Sequence, residues 1–257
     1  VTEPLALLPG WSYRPEVMQP LAEALAQHYP VQIYALPTTA RAGDWLDELD
    51  ARIPQNTWLI GWSLGGMLAA ELAARRGKEH CPGLITLCSN PCFYAREDWP
   101  YALDEATFRR FCEGFKENPE ATLSRFDLLV SQGSANKREV ARQLAALHLP
   151  AQHPSLLAGL ELLAKLDTRP ALQQFEGAQA HLLASRDAFL PAAFASQACF
   201  ALRKLLSPAN VSIGEYGHTG HALPISDCKR LASSLADVVQ SATPWQQQPL
   251  QQTADAG

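Results

Sequence analysis

Through the first ninety residues, unbroken apolar runs alternate with stretches of helical spacing. Leu5-Ala6-Leu7-Leu8 is a short apolar run stopped by Pro9-Gly10, the form of a strand buried on both faces. Residues 15–28 then set Val17, Met18, Leu21, Leu25 and Ala26 at helical spacing. Val31-Gln32-Ile33-Tyr34-Ala35 predicts a second strand, residues 44–53 (DWLDELDARI) a helix, and Thr57-Trp58-Leu59-Ile60 a third strand. LGGMLAAELAARR at residues 64–76 predicts a helix rich in small residues, and Leu84-Ile85-Thr86-Leu87-Cys88 a fourth strand. Apolar strands separated by helices spell an α/β architecture, a mostly parallel sheet flanked by helices.

The rhythm changes between about residues 95 and 172. No strand pattern is present, and LDEATFRRFCEGF, PEATLSRFDLLVSQ, NKREVARQLAAL and SLLAGLELLAKL read as separate helices, punctuated by Pro, Gly and Asn. Four ordinary surface helices would give this pattern. So would a helical insertion capping the sheet, which is favoured because strand rhythm returns with Ala180-His181-Leu182-Leu183-Ala184 and Val211-Ser212-Ile213. DCKRLASSLADVVQSA predicts a last helix, and the Gln-rich end PWQQQPLQQTADAG a frayed tail. The expected organisation is a core of residues 1–94 and 173–241, a helical cap of residues 95–172, and a flexible tail of residues 242–257.

The 257 residues are 47% hydrophobic and 18% charged, which supplies a buried core and excludes an intrinsically disordered chain. A formal charge of −5 argues against a general polyanion binder, although a local basic patch is compatible with it. No apolar run approaches the ~18 residues of a membrane span, and no basic segment followed by an apolar run opens the sequence. Six cysteines are too few for a disulfide scaffold of this size, so reduced thiols and a cytoplasmic setting are expected.

Gly61-Trp62-Ser63-Leu64-Gly65 is the strongest chemical signal. A G-x-S-x-G match alone is common, and a tight turn with an unreactive serine is its plain reading. Here it joins an apolar strand to a small-residue helix, the context of a nucleophile elbow. Such a serine needs an imidazole to take its proton and a carboxylate to orient the imidazole. Asp187 follows the strand AHLLA within SRDAFLP, and both His218 and His221 follow the last strand within EYGHTGHALPIS, giving the chain order Ser, Asp, His. His218-x-x-His221 lacks a zinc-binding helical pattern, the cysteines form no C-x-x-C pair, and the glycines form no phosphate loop. No metal, nucleotide or other cofactor is expected.

With GWSLGG at residues 61–66, NPCFYAREDWP at 90–100, GLELLAKLDTRPAL at 159–172, SRDAFLP and HALPIS, the chain resembles the alpha/beta-hydrolase fold family. Within that family it resembles the pimeloyl-[acyl-carrier protein] methyl ester esterases of biotin synthesis, from Leu5 to about Val239. The resemblance implies Ser63, Asp187 and His221 as catalytic residues, His221 being preferred over His218 because it opens HALPIS. It implies the N–H groups of Trp11 and Leu64 as the oxyanion hole, and Trp11, Trp62, Phe126, Leu129 and Val130 as acyl contacts. A basic face of Arg125, Arg138 and Arg142 would dock an acidic acyl carrier protein bearing a methyl-esterified pimeloyl group. A soluble monomer acting on neither nucleic acid nor membrane is implied. Two departures stand out. Pro9-Gly10-Trp11 replaces the His-Gly pair of many relatives, and the sequence opens almost at the first strand, implying a shortened N-terminal sheet edge. A broad short-chain carboxylesterase and a non-enzymatic binding scaffold on the same fold are the alternatives; a dehalogenase is disfavoured because it asks for Asp where Ser63 stands.

Overall fold

The computed structural model describes residues 3–190, 194–206 and 210–241. β1 (Leu5–Leu8) leads through a 3-10 turn at Pro15–Met18 into α1 (Gln19–Leu25) and then β2 (Val31–Ile33). A second 3-10 turn at Ala42–Asp44 opens α2 (Trp45–Arg52), followed by β3 (Trp58–Trp62), α3 (Leu64–Arg76) and β4 (Gly83–Leu87). Helices α4 (Glu105–Glu117), α5 (Pro119–Val130), α6 (Lys137–Ala145), α7 (Ser155–Lys165) and α8 (Arg169–Gln174) precede β5 (Ala178–Ala184). The chain continues with α9 (Phe194–Leu205), β6 (Val211–Tyr216), α10 (Leu223–Ser226) and α11 (Cys228–Ser241).

The strands form one six-stranded sheet in the order β2-β1-β3-β4-β5-β6. Every strand pairing within this sheet is parallel, so the expectation of a mostly parallel sheet is met without an antiparallel strand. β1, β3 and β4 are buried along their whole length, as apolar strands covered on both faces must be. The edge strand β2 is only half-buried and ends at Ile33, two residues before the apolar run does. α1 packs on α11, whereas α2 and α8 pack on α3. Between α2 and α3 the Arg76 guanidinium is buried and donates to Asp50 Oδ1 at 2.7 Å and to the Ile53 carbonyl at 2.6 Å. It thereby satisfies a carbonyl at the helix end that has no intrahelical partner.

No strand interrupts the described residues between β4 and β5. Asp104 caps α4 through the Thr107 N–H at 2.8 Å, and Asn118 caps α5 through the Ala121 N–H at 3.0 Å. The two ends of this helical stretch meet. The Thr168 N–H donates to the Pro91 carbonyl at 3.0 Å, and Arg169 pairs with Asp98 at 2.8 Å and with Asp167 at 2.6 Å. Arg96 reaches the same Asp167 oxygen at 3.4 Å. All six cysteines are free, and no helix among the described residues is long and apolar enough to cross a membrane. The expected tail at 242–257 lies outside the described residues.

Candidate active site

β1 lies between β2 and β3, so the chain leaves β1 toward one side of the sheet and leaves β3 toward the other. Right-handed crossovers then send α1 and α3 to opposite faces, opening a crevice beyond the carboxyl ends of β1 and β3. Ser63 stands there, between the end of β3 and the start of α3. Its backbone is strained, with φ 55° and ψ −122°, a region that side-chain-bearing residues rarely enter. The turn is held by the Ser63 N–H donating to the Leu87 carbonyl at 3.0 Å and by Ser89 Oγ donating to the Ser63 carbonyl at 2.8 Å. Two glycines make it sterically feasible. A Cβ on Gly61 would sit 2.2 Å from the Gly65 carbonyl oxygen, and one on Gly65 would sit 2.4 Å from the Pro9 carbonyl oxygen. The Pro9-Gly10-Trp11 loop is thus pressed against the serine turn, and Leu64, the first residue of α3, has an N–H with no helical acceptor.

His221 and Asp187 arrive from the loops after β6 and β5. His221 Nδ1 lies 2.7 Å from Asp187 Oδ2, and the Phe189 N–H donates to Asp187 Oδ1 at 2.9 Å, so both carboxylate oxygens are occupied. Trp62 Nε1 donates to the His221 carbonyl at 2.8 Å, and the Phe189 ring stands edge-on to the imidazole at 4.6 Å. The opposite ring nitrogen, His221 Nε2, is buried without a hydrogen-bond partner. Ser63, Asp187 and His221 line one small pocket, together with Met67, Ser89, Phe93, Leu183, Phe189 and Leu190.

Comparison with known proteins gives the same fold and a narrower kinship. Residues 10–176 match the family profile described as alpha/beta hydrolase fold. The pimeloyl-[acyl-carrier protein] methyl ester esterase of Aromatoleum aromaticum is 34% identical over 250 residues, covering 91% of this chain and 97% of that one. This chain belongs to the alpha/beta-hydrolase family, in the group of these esterases. The Xylella fastidiosa (strain M12) protein of the same name is 36% identical over 202 residues, with 74% of this chain and 78% of that one covered. The biotin biosynthesis bifunctional protein BioHC of Cellvibrio japonicus is 34% identical over 241 residues, and this chain spans 91% of its own length but 47% of that protein. Among solved structures, an esterase from Exiguobacterium antarcticum superposes with a TM-score of 0.78 at 16% identity, covering 93% of this chain and 92% of that one, a likeness of fold.

In this alpha/beta-hydrolase, four of the five residues expected to touch an acyl chain are packed away from the pocket, and the fifth faces outward. The Trp11 indole is buried, its Nε1 donating to the Leu156 carbonyl at 2.8 Å and its ring standing edge-on to Phe111, Phe115 and Phe126. Trp62 is spent on the His221 loop, and Phe126 backs Phe189 at 5.5 Å. Val130 braces that loop through its carbonyl, which accepts the Ala222 N–H at 3.2 Å. Leu129 is 39% exposed beside Leu128, on the outer side of α5. None of these five lines the pocket, because α5 turns Phe126 and Val130 inward onto packed neighbours and Leu129 outward. The apolar lining comes instead from Phe93 and from Phe189 and Leu190 beside Asp187, at loop positions that carry no periodicity from which a contact is read.

Arg125 and Arg138 are exposed and make no ion pair among the described residues, while Arg142 is held by Glu139 at 2.7 Å. His218 is exposed, and its Nδ1 faces Arg186 at 3.4 Å, not the pocket. Cys88 Sγ falls within 4.8 Å of donor atoms of Asp187 and His221, a potential three-ligand cluster. Burial, reinforced by the Asp187 charge, pushes the Cys88 thiol well above its ordinary range, and Asp187 has already committed both oxygens. A neutral, buried thiol beside a carboxylate already bonded to His221 and to the Phe189 N–H is a poor metal-binding set.

Proposed function

We propose that this chain is a serine carboxylesterase that hydrolyses pimeloyl-[acyl-carrier protein] methyl ester to pimeloyl-[acyl-carrier protein] and methanol, in biotin synthesis. The chemical part rests on one observation: His221, anchored by Asp187 at Nδ1, keeps Nε2 unpaired in the pocket that Ser63 shares. The substrate rests on the names of the relatives. His221 Nε2 takes the Ser63 Oγ proton as Oγ bonds to the ester carbonyl carbon, and the N–H groups of Leu64 and Trp11 receive the oxyanion. Collapse breaks the bond to the methoxy oxygen, and the imidazolium returns the proton to release methanol. Water then gives a proton to His221 and attacks the acyl-enzyme, and Ser63 leaves reprotonated, so one ester and one water become one acid and one methanol. No step needs a metal or a cofactor.

In this reading residues 95–172 cap a core of residues 1–94 and 173–241, and Phe93, Phe189 and Leu190 hold the acyl chain. Arg125 and Arg138, exposed and without an ion pair among the described residues, meet the acidic carrier, with Arg142 shared between the carrier and Glu139. The enzyme works as a cytoplasmic monomer. A broad short-chain carboxylesterase is the second reading, favoured by a pocket wall of Met67, Phe93, Phe189 and Leu190, which accepts acyl groups without identifying what they are attached to. Parallel assays of the carrier-linked methyl ester and of a small methyl ester decide between them. A much higher kcat/KM for the carrier-linked substrate is expected, with both activities lost in Ser63→Ala; equal values would favour the broad esterase. A serine-directed phosphonate that fails to label Ser63 would favour the binding scaffold.

A further inference from the structure

A second acid–imidazole cluster lies behind the active site. The Tyr13 hydroxyl donates to Asp127 Oδ1 at 2.8 Å, and His148 Nε2 lies 2.8 Å from the same oxygen, out of line for a directed hydrogen bond. His148 Nδ1 is 3.1 Å from Ser12 Oγ. The Tyr13 ring stacks with His148 at 4.7 Å and with Trp62 at 5.5 Å. Two backbone bonds close the grip, from the Leu149 N–H to the Ser12 carbonyl and from the Arg14 N–H to the Leu147 carbonyl, each 2.8 Å. Asp127, Ser12 and Tyr13 are all buried, and none of the cluster lines the pocket.

The cluster spans two parts of the chain. Asp127 is on α5 and His148 precedes α7, whereas Ser12 and Tyr13 follow Trp11 in the loop after β1. That loop is under strain, since Ser12 has φ 73° without being glycine. Burying a carboxylate costs more than an apolar pair of the same shape would, so for stability alone this is a poor choice of residues. What the cluster does have is reach. Ser12 directly follows Trp11, whose N–H is the proposed oxyanion donor, and Tyr13 stacks on the indole whose Nε1 holds the His221 carbonyl.

We propose that Asp127 and His148 are positioning residues: by gripping Ser12 and Tyr13 they fix the Trp11 N–H toward the oxyanion and steady Trp62 beneath His221. The proposal rests on the reading of Ser63 as nucleophile and Trp11 as oxyanion donor. Both groups act on the transition state and not on the bound ester, so their displacement shows in kcat and leaves KM.

The test uses Tyr13→Phe, which keeps the stacked ring and removes one hydroxyl, together with Asp127→Asn and His148→Gln. Each is measured for kcat and KM on p-nitrophenyl butyrate, for affinity toward a trifluoromethyl ketone that forms a tetrahedral adduct on serine, for affinity toward butyrate, and for Tm. Expected are a fall in kcat of about 10- to 100-fold, a parallel loss of ketone affinity, and butyrate affinity and KM within about twofold, the scale of a misplaced oxyanion donor. Variants with lowered Tm but unchanged kcat and ketone affinity would show a merely structural cluster and overturn the proposal. Should Asp127→Asn not fold, Tyr13→Phe alone decides by the same criteria. Ser63→Ala runs alongside. Retained turnover in Ser63→Ala overturns the reading of the site and the positioning role with it, whereas its loss beside fully active Tyr13→Phe overturns the positioning role alone.

Discussion

Two histidines three positions apart look alike in sequence and differ in everything that chemistry needs. His221 is buried, bonded to Asp187 at Nδ1 and free at Nε2, whereas His218 is exposed beside Arg186. A base must have one nitrogen oriented and the other available, and only His221 meets both conditions. His221→Ala is therefore expected to lower kcat/KM by about 10³-fold or more, and His218→Ala by less than about threefold, with p-nitrophenyl ester hydrolysis as the measurement. A larger loss in folded His218→Ala would move the base. The Ser-Asp-His order was readable because each residue follows a strand, and a strand end is where this sheet type carries its chemistry. The pocket wall was not, because Phe93, Phe189 and Leu190 are placed by loop paths that depend on contacts far away in the chain.

At the level of elements, the helix 64–76 matches its apolar pattern residue for residue, since a glycine-containing turn starts it and Gly77, at φ 67°, ends it. Helices α8 and α9 carried no expectation. α9 buries Ala195, Ala198, Cys199 and Leu202, a correctly spaced stripe made mostly of small residues, which the large exposed Phe200 on another face obscures in the sequence. β5 starts two residues before the apolar run because Gln179 is buried with its amide donating to the carbonyls of Leu172 and Phe175 at 3.0 and 2.8 Å. Next to it, His181 lies inside the sheet, with Nδ1 2.8 Å from Thr86 Oγ1 on β4 and Nε2 3.1 Å from Gln179. Burial pushes the His181 imidazole down from 6.5 to about 4. Between these values the unfolded chain binds the proton and the folded one does not, so this stability is complete above pH 6.5 and drains away as the pH falls toward 4. At the acid end the loss is on the order of 3 kcal/mol. Melting curves from pH 7 to 4.5 should show Tm falling in this window, and His181→Gln should flatten that slope. An unchanged slope in the variant would assign the acid sensitivity elsewhere.

Over the whole molecule, a net charge of −5 coexists with the exposed surface of α5 and α6, where Arg125 and Arg138 make no ion pair among the described residues. If this face receives an acidic carrier, Arg125→Glu with Arg138→Glu should raise KM for the carrier-linked ester about tenfold and leave a small methyl ester unaffected. Salt should weaken the wild type toward the variant, because exposed charges are screened. Loss of both activities would instead indicate a misfolded cap. The meeting of the helical stretch with itself has a different kind of consequence. Thr168 is bonded to Pro91 across 77 residues of chain, and Arg169, Asp167, Asp98 and Arg96 lock the same junction. A segment whose two ends share one anchorage can be replaced wholesale without shifting the sheet beneath it, so inheritance can trade such segments between hydrolases as units. Here the trade has a tether: a transplant spanning residues 95–167 takes Asp127 and His148 with it but leaves Ser12 and Tyr13 behind, and a chimera made that way would need those two residues matched to the incoming helices before its chemistry returned.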